Sequence, residues 1–317
     1  MSRASTSDVM DHTEIPAYRL IASGPALYLG LGAAFITVCI WATWLVSVKL
    51  GTQSALTTFD LAIMRYAIPG MALLPFVYQS RQALFAVPKW TLLGIVAGAG
   101  VPFFFLSSAG MQYAPVSHAG LLIPGTFPLF VTAIAVLVFK EPISPIRLFG
   151  LFAILLGVVT LLVVSLWSLS GDVWKGDLLF IGASFFWAVY TICLRVAGLR
   201  PLAATGLLGL VSTLLLLLML SLGLVSSGMS LVSGSELAWQ FFVQAMLVGL
   251  LTGFSYGYAI NSLGAERTAA MGALTPVLAS LIAIPLLQES ISMGAMCGLL
   301  FVGTGVVLAS GMIRSWR

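Results

Sequence analysis

Ten stretches of about 20 mostly apolar residues follow one another along this chain, at roughly 27–49, 57–78, 91–112, 116–138, 146–168, 176–196, 203–224, 238–261, 267–287 and 293–312. A helix needs about 20 such residues to cross the hydrocarbon core of a bilayer, where each backbone N–H and C=O must be satisfied within the segment. Most links between the stretches are short; the longest internal one, about 225–237, is rich in Ser and Gly. Of the 317 residues 60% are hydrophobic and 8% charged, whereas soluble domains carry about 25% charged residues. Polar groups this sparse cannot cover a surface facing water. The predicted class is therefore an all-α integral membrane protein with ten transmembrane helices. Residues 1–25 hold Asp8, Asp11, His12, Glu14 and Arg19 and read as a cytoplasmic polar tail. No apolar segment precedes the first span, which is too long for a signal peptide and is expected to be retained.

Lysine and arginine set the orientation. With ten spans, Arg3, Arg19, Arg81, Lys89, Lys140, Arg147, Arg195, Arg200, Arg267, Arg314 and Arg317 fall on the side of the N-terminus. Lys49 and Lys175 fall on the other side, and Arg65 lies inside the second span. Short basic loops stay in the cytoplasm, so both termini are predicted to be cytoplasmic. The formal charge of +4 is thus a topology signal. Neither a basic cluster nor an RNA-binding or zinc spacing points to nucleic acid or to a bound metal. Cys39, Cys193 and Cys297 each sit in an apolar run and read as packed thiols rather than a disulfide framework.

The chain also repeats itself. Shifted by 148, residues 128–159 fall on 276–307 without a gap: Pro128 meets Pro276, Glu141 meets Glu289, Gly150 meets Gly298 and Gly157 meets Gly305. Shifted by 146, Trp41 meets Trp187, Trp44 meets Tyr190 and Lys49 meets Arg195. The predicted domains are two five-helix repeats, 26–170 and 171–317. Five is odd, so the second repeat inserts upside down, the arrangement of many secondary transporters.

The segments IWATWLVSVKLG, PGTFPLFVTAIAVLVFKEPISPIRLFGLFAILLGVV and TPVLASLIAIPLLQESISMGAMCGLLFVGTGVV, with ten spans in two halves, resemble the EamA family of the drug/metabolite transporter superfamily. The resemblance covers nearly all of the chain beyond residue 26 and departs at Trp41-Ala42, where Trp-Gly is usual. It implies a bacterial inner-membrane exporter of metabolites, amino acids among them, with a central cavity between the halves.

Candidate substrate-binding residues follow from position. Trp41 and Trp44 are three apart on one helix face, and Trp187 and Tyr190 repeat them. Four such aromatics would line a cavity for an amphipathic solute or serve as helix packing. Arg65 lies about 12 Å from the outer end of its helix. It reads as a counter-charge for a carboxylate or phosphate, or as a structural arginine bonded to carbonyls or to Asp60. Gln112, Tyr256 and Asn261 are uncharged groups able to orient a ligand; Ser107, Ser108, Tyr113, Gln244, Ser255 and Tyr258 share that character. Pro124, Pro128 and Pro276 interrupt the fourth and ninth spans as hinges, cavity walls or static kinks. Glu141 and Glu289 read as helix-end carboxylates, and His118 as a solvated or packed histidine. Gly150, Gly157, Gly298 and Gly305 read as close packing of the fifth and tenth spans, within the chain or between chains.

No membrane-enzyme motif is present, and no cofactor is expected. The expected partners are a small-molecule substrate and the lipid bilayer, and the chain is expected as a monomer or homodimer. No acidic residue is placed at mid-span, so no evident proton or sodium relay is expected. The predicted function is secondary export of an amino acid or related metabolite by alternating access in the cell inner membrane; a facilitative channel is the alternative.

Overall fold

In the computed structural model the described residues are 25–167, 171–263, 268, 271–272 and 274–309. Residues 1–24 of the predicted 1–25 tail and the charges of Glu266, Arg267, Arg314 and Arg317 lie outside them. Every regular element among the described residues is helical. The helices are α1 (Pro25–Thr52), α2 (Thr58–Ala72), α3 (Leu74–Gln79), α4 (Arg81–Ala86), α5 (Lys89–Ala99), α6 (Val101–Tyr113) and α7 (Val116–Phe139). They continue with α8 (Pro145–Trp167), α9 (Val173–Ala197), α10 (Pro201–Ser221), α11 (Gly234–Phe241), a π-helical run (Phe242–Leu251), α12 (Thr252–Leu263), α13 (Thr275–Leu287) and α14 (Met293–Ala309).

Seven helical stretches among the described residues are long and apolar enough to cross a membrane. The predicted second span is split at Leu73 into α2 and α3. Pro75 has no N–H to give to Met71, so the helix cannot run on undisturbed. The predicted third span is one apolar stretch bent at Gly100, where α5 gives way to α6 just before Pro102. The hydroxyl of Tyr66 reaches the carbonyls of Ala99 at 2.8 Å and Gly100 at 3.0 Å, and so ties α2 to the bend. α13 and α14 are shorter apolar helices.

α2 begins with a capping box. Asp60 Oδ2 accepts from the N–H of Thr57 at 2.8 Å, and Thr57 Oγ1 accepts from the N–H of Asp60 at 3.3 Å. Asp60 is fully buried because it does more than cap. It also accepts from Ser227 Oγ at 2.6 Å and from the N–H of Gly228 at 2.8 Å, so one carboxylate ties the Ser/Gly-rich loop onto the end of α2.

The predicted packing of the fifth and tenth spans is found within the chain, between α8 and α14. A Cβ on Gly150 would lie 2.7 Å from the carbonyl oxygen of Gly305, and one on Gly157 would lie 3.1 Å from that of Gly298. Exchanging each glycine for its repeat partner turns the pair Gly150–Gly305 into the pair Gly298–Gly157. The same offset of 148 relates Lys140 (φ 57°) and Gln288 (φ 54°), the two non-glycine residues of left-handed backbone among the described residues. They close α7 and α13. The glutamates that follow make different contacts: Glu141 pairs with Arg195 at 2.9 Å, whereas both oxygens of Glu289 accept from the N–H of Val116, at 3.0 and 2.9 Å.

Two outcomes follow. Gly157→Leu forces α8 and α14 apart and lowers the thermal midpoint in detergent, on the scale of about 1–3 kcal/mol for overpacking. Gly303→Leu, where a Cβ meets nothing, leaves that midpoint in place. Asp60→Ala releases the loop around Gly228, and limited proteolysis cuts there faster than in wild type.

Candidate functional site

Three of the four aromatic positions paired by the repeat, Trp44, Trp187 and Tyr190, come together through Phe103, which the repeat did not single out. Trp44 on α1 is buried and stacks on Phe103 of α6, centroids 6.0 Å apart at 20°. Phe103 meets Trp187 of α9 at 5.0 Å, and Trp187 meets Tyr190 at 5.3 Å. Four rings thus form a continuous wall from α1 to α9, with Phe103 as its bridge. Trp41, one turn before Trp44, faces another way and meets Tyr256 of α12 at 5.4 Å.

Arg65 projects from α2 into this group. Its Cζ lies 5.0 Å from the centre of the Trp44 ring, 5.8 Å from Tyr66 and 5.9 Å from Phe104. Three ring faces supply cation–π attraction, about 2 kcal/mol or more for a desolvated pair. Asp60 is committed to Thr57, Ser227 and Gly228 and does not pair with Arg65. Arg65 Nε and Nη1, with Trp44 Nε1, are buried donors without an acceptor. Gln244, fully buried in the π-helical run, likewise has both amide atoms unpartnered. That run packs on the Arg65 turn: a Cβ on Gly249 would lie 3.1 Å from the carbonyl oxygen of Arg65. π-turns recur at functional sites because they re-aim side chains.

Other predicted residues lie elsewhere. Gln112 is exposed at the end of α6, and no ring contact or hydrogen bond joins it to the wall among the described residues. Asn261 is in α12, with its side chain outside what is described. Pro124 and Pro128 sit inside α7, half-buried. Pro276 does not interrupt a described helix but stands in the first turn of α13, where its missing N–H costs no bond. It abuts α7, since a Cβ on Gly120 would lie 3.0 Å from Pro276 Cα. An apolar groove lined by Ile63, Met64, Ile68, Met229, Leu237 and Phe241 runs beside α2 and includes none of the predicted site residues. Tyr66, Phe103 and Phe104 had no signal of their own in the sequence, being aromatics in apolar runs with no repeat partner noted. Among the described residues no three His, Cys, Asp or Glu side chains gather as a metal site would require.

The wall offers apolar faces beside unmatched donors, which suits a solute with an apolar part and an anionic group. Similarity to known proteins shows the family and no substrate. The profile of the EamA-like transporter family matches residues 28–163 and again residues 174–311. An archaeal protein of Archaeoglobus fulgidus named "Uncharacterized transporter" is 31% identical over 162 residues, 50% of this chain and 54% of that protein, so the chain spans about half of that relative's length. "Uncharacterized transporter YyaM" of Bacillus subtilis is 27% identical over 71% of this chain and 74% of its own. A solved structure described as "Crystal structure of protein" shares the fold, with a TM-score of 0.60 at 18% identity over 91% of this chain and 98% of that one. With two matches that between them take in most of its length, this multi-pass membrane protein belongs to the EamA-like transporter family.

Proposed function

We propose that the chain exports a small amphipathic metabolite bearing a carboxylate, an amino acid or close relative, by alternating access. In this reading ten spans form two inverted five-helix repeats, 26–170 and 171–317. Both termini face the cytoplasm of a cell bounded by this plasma (inner) membrane. The symmetric glycine contacts of α8 and α14 support the inversion, and so does the double match of the family profile.

The observation that carries the cargo is Arg65. Its Nε and Nη1 are buried donors over three ring faces, and Trp44 Nε1 adds a third donor beside them. A carboxylate accepts from such a fork with charge-assisted bonds. The rings of Trp44, Phe103, Trp187 and Tyr190 supply the apolar half of the pocket. Those rings touch in the present arrangement, so cargo enters as the halves rock and the rings part.

The test is counterflow of radiolabelled amino acids in proteoliposomes. Wild type shows saturable counterflow, which a simple pore does not. Arg65→Gln removes a charged hydrogen-bonding partner, about 1.5–3 kcal/mol, and so weakens apparent affinity about 10- to 100-fold. Amides of the same solutes, which lack the carboxylate, compete equally poorly with wild type and variant. Equal competition by acids and amides in wild type would remove the carboxylate from the proposal.

A further inference from the structure

The sequence showed His118 alone and placed no acid in mid-span, but folding brings together two residues that are 59 positions apart. His118 Nδ1 lies 2.7 Å from Asp177 Oδ1. His118 is in the first turn of α7 and is 6% exposed; Asp177 is near the start of α9 and is 0% exposed. Asp177 Oδ2 is buried with no hydrogen-bond partner. A carboxylate shut from water normally fills both oxygens, and ionisable groups inside membrane spans commonly mark ion or proton pathways. Asp177 accounts for neither cap nor loop here, in contrast to Asp60.

The surroundings are also charged. Lys49 of α1 donates from Nζ to the carbonyls of Met111 at 2.6 Å and Ala114 at 3.0 Å, at the end of α6. Glu289, just past α13, holds the N–H of Val116, two residues before His118. From α6 the ionisable neighbour is Tyr113, exposed, and α9 itself adds the exposed pair Lys175–Asp172 at 2.7 Å. The charged residues of α5 and α8, Lys89 and Arg147, stand in the first turns of those helices, at the far end from Asp177, and α14 carries no charge. Asp177 is ten residues, about 15 Å of helix, from Trp187, and α7 carries His118 together with Pro124 and Pro128.

We propose that His118 and Asp177 form a proton-binding site that links solute movement to the proton gradient; the link to solute rests on the transport function proposed above, and the proton site does not. A proton from water binds Asp177 Oδ2 while Oδ1 keeps its bond to His118. The buried charge of the carboxylate is neutralised, and the same proton leaves when the site next meets water. α9 carries Asp177 at one end and the wall residues Trp187 and Tyr190 further along, and α7, which carries His118, packs against it, so the loaded and unloaded pair favours different packing of those two helices.

Two measurements test this. Infrared titration of the detergent-solubilised full chain shows a buried carboxyl band that grows on acidification and is missing from Asp177→Asn. A band unchanged in that variant, or absent from wild type, overturns the site. In proteoliposomes, an imposed pH difference accelerates net amino-acid movement, and added amino acid moves protons, read by a pH-sensitive dye. Asp177→Asn loses both responses by about tenfold or more while counterflow at equal pH persists. Asp177→Glu restores them, which separates proton binding from mere folding. Arg65→Gln, by contrast, weakens counterflow itself at equal pH, so failure of the cargo reading shows separately. Wild-type counterflow with no response to the pH difference overturns the coupling.

Discussion

A backbone carbonyl freed inside a bilayer has no water to turn to, and the layout of this protein follows from meeting that constraint. Proline and glycine break the apolar stretches at Leu73 and Gly100, and Pro124 and Pro128 remove amide donors inside α7. Tyr66 answers the bend at Gly100. Asp60 answers the start of α2 together with the loop at Gly228. Lys49 and Glu289 answer the α6–α7 junction from opposite sides, one as donor to Met111 and Ala114, the other as acceptor from Val116. The polar side chains with such duties are structural. Arg65, Gln244 and Asp177 have no such duty and are buried polar groups without a full set of partners, as are Trp44, Arg147, Ser184, Ser212 and Thr275 among the described residues.

The differences between the two halves follow the same logic. The glycines that the repeat keeps are architectural: those of α8 and α14 cross by the same kind of contact, and α7 and α13 end alike in left-handed backbone although Lys140 stands where the other half has Gln288. Elsewhere the two faces diverge. Lys49 binds carbonyls, while its partner Arg195 pairs with the side chain of Glu141, both half-exposed. Arg65 sits on α2, while α10 carries no ionisable residue at all. A solute with a single anionic group needs one counter-charge, and a second copied by symmetry would be a buried cation with nothing to offset it.

Much of the architecture could be read from the sequence because membrane solvation writes it in simple terms: long apolar runs, scarce charges and a repeat at fixed offset. The pairing of α8 with α14 could be anticipated from Gly150, Gly157, Gly298 and Gly305, since small residues at helical spacing have few other uses in lipid. Contacts between distant positions could not. Phe103 is one of three successive phenylalanines, and nothing local says which of them bridges Trp44 and Trp187. Asp60 was a candidate partner for Arg65 by proximity, but spacing did not reveal that Ser227 and Gly228 would claim it. The same holds for His118 and Asp177, each unremarkable until α7 and α9 bring them within hydrogen-bonding distance. Pro276 misled for a different reason: proline marks a helix start as readily as a break, and only the fold separates the two.

Arg65 also says how such a pocket can select. A cationic side chain deep in a helix costs about 2.5–3.5 kcal/mol on the translocon scale. Ring faces recover part of that, since cation–π attraction in a desolvated site is worth about 2 kcal/mol or more. What remains uncompensated is the hydrogen bonding of Nε and Nη1. A ligand that accepts from them relieves a cost the empty pocket already bears, whereas an isostere lacking the acceptor leaves donors buried and unmatched. Sites built around polar groups reject such isosteres far more strongly than apolar pockets reject a missing methylene. Selectivity would then rest on the anionic group, with tolerance toward the apolar part that the rings of Trp44, Phe103 and Trp187 enclose.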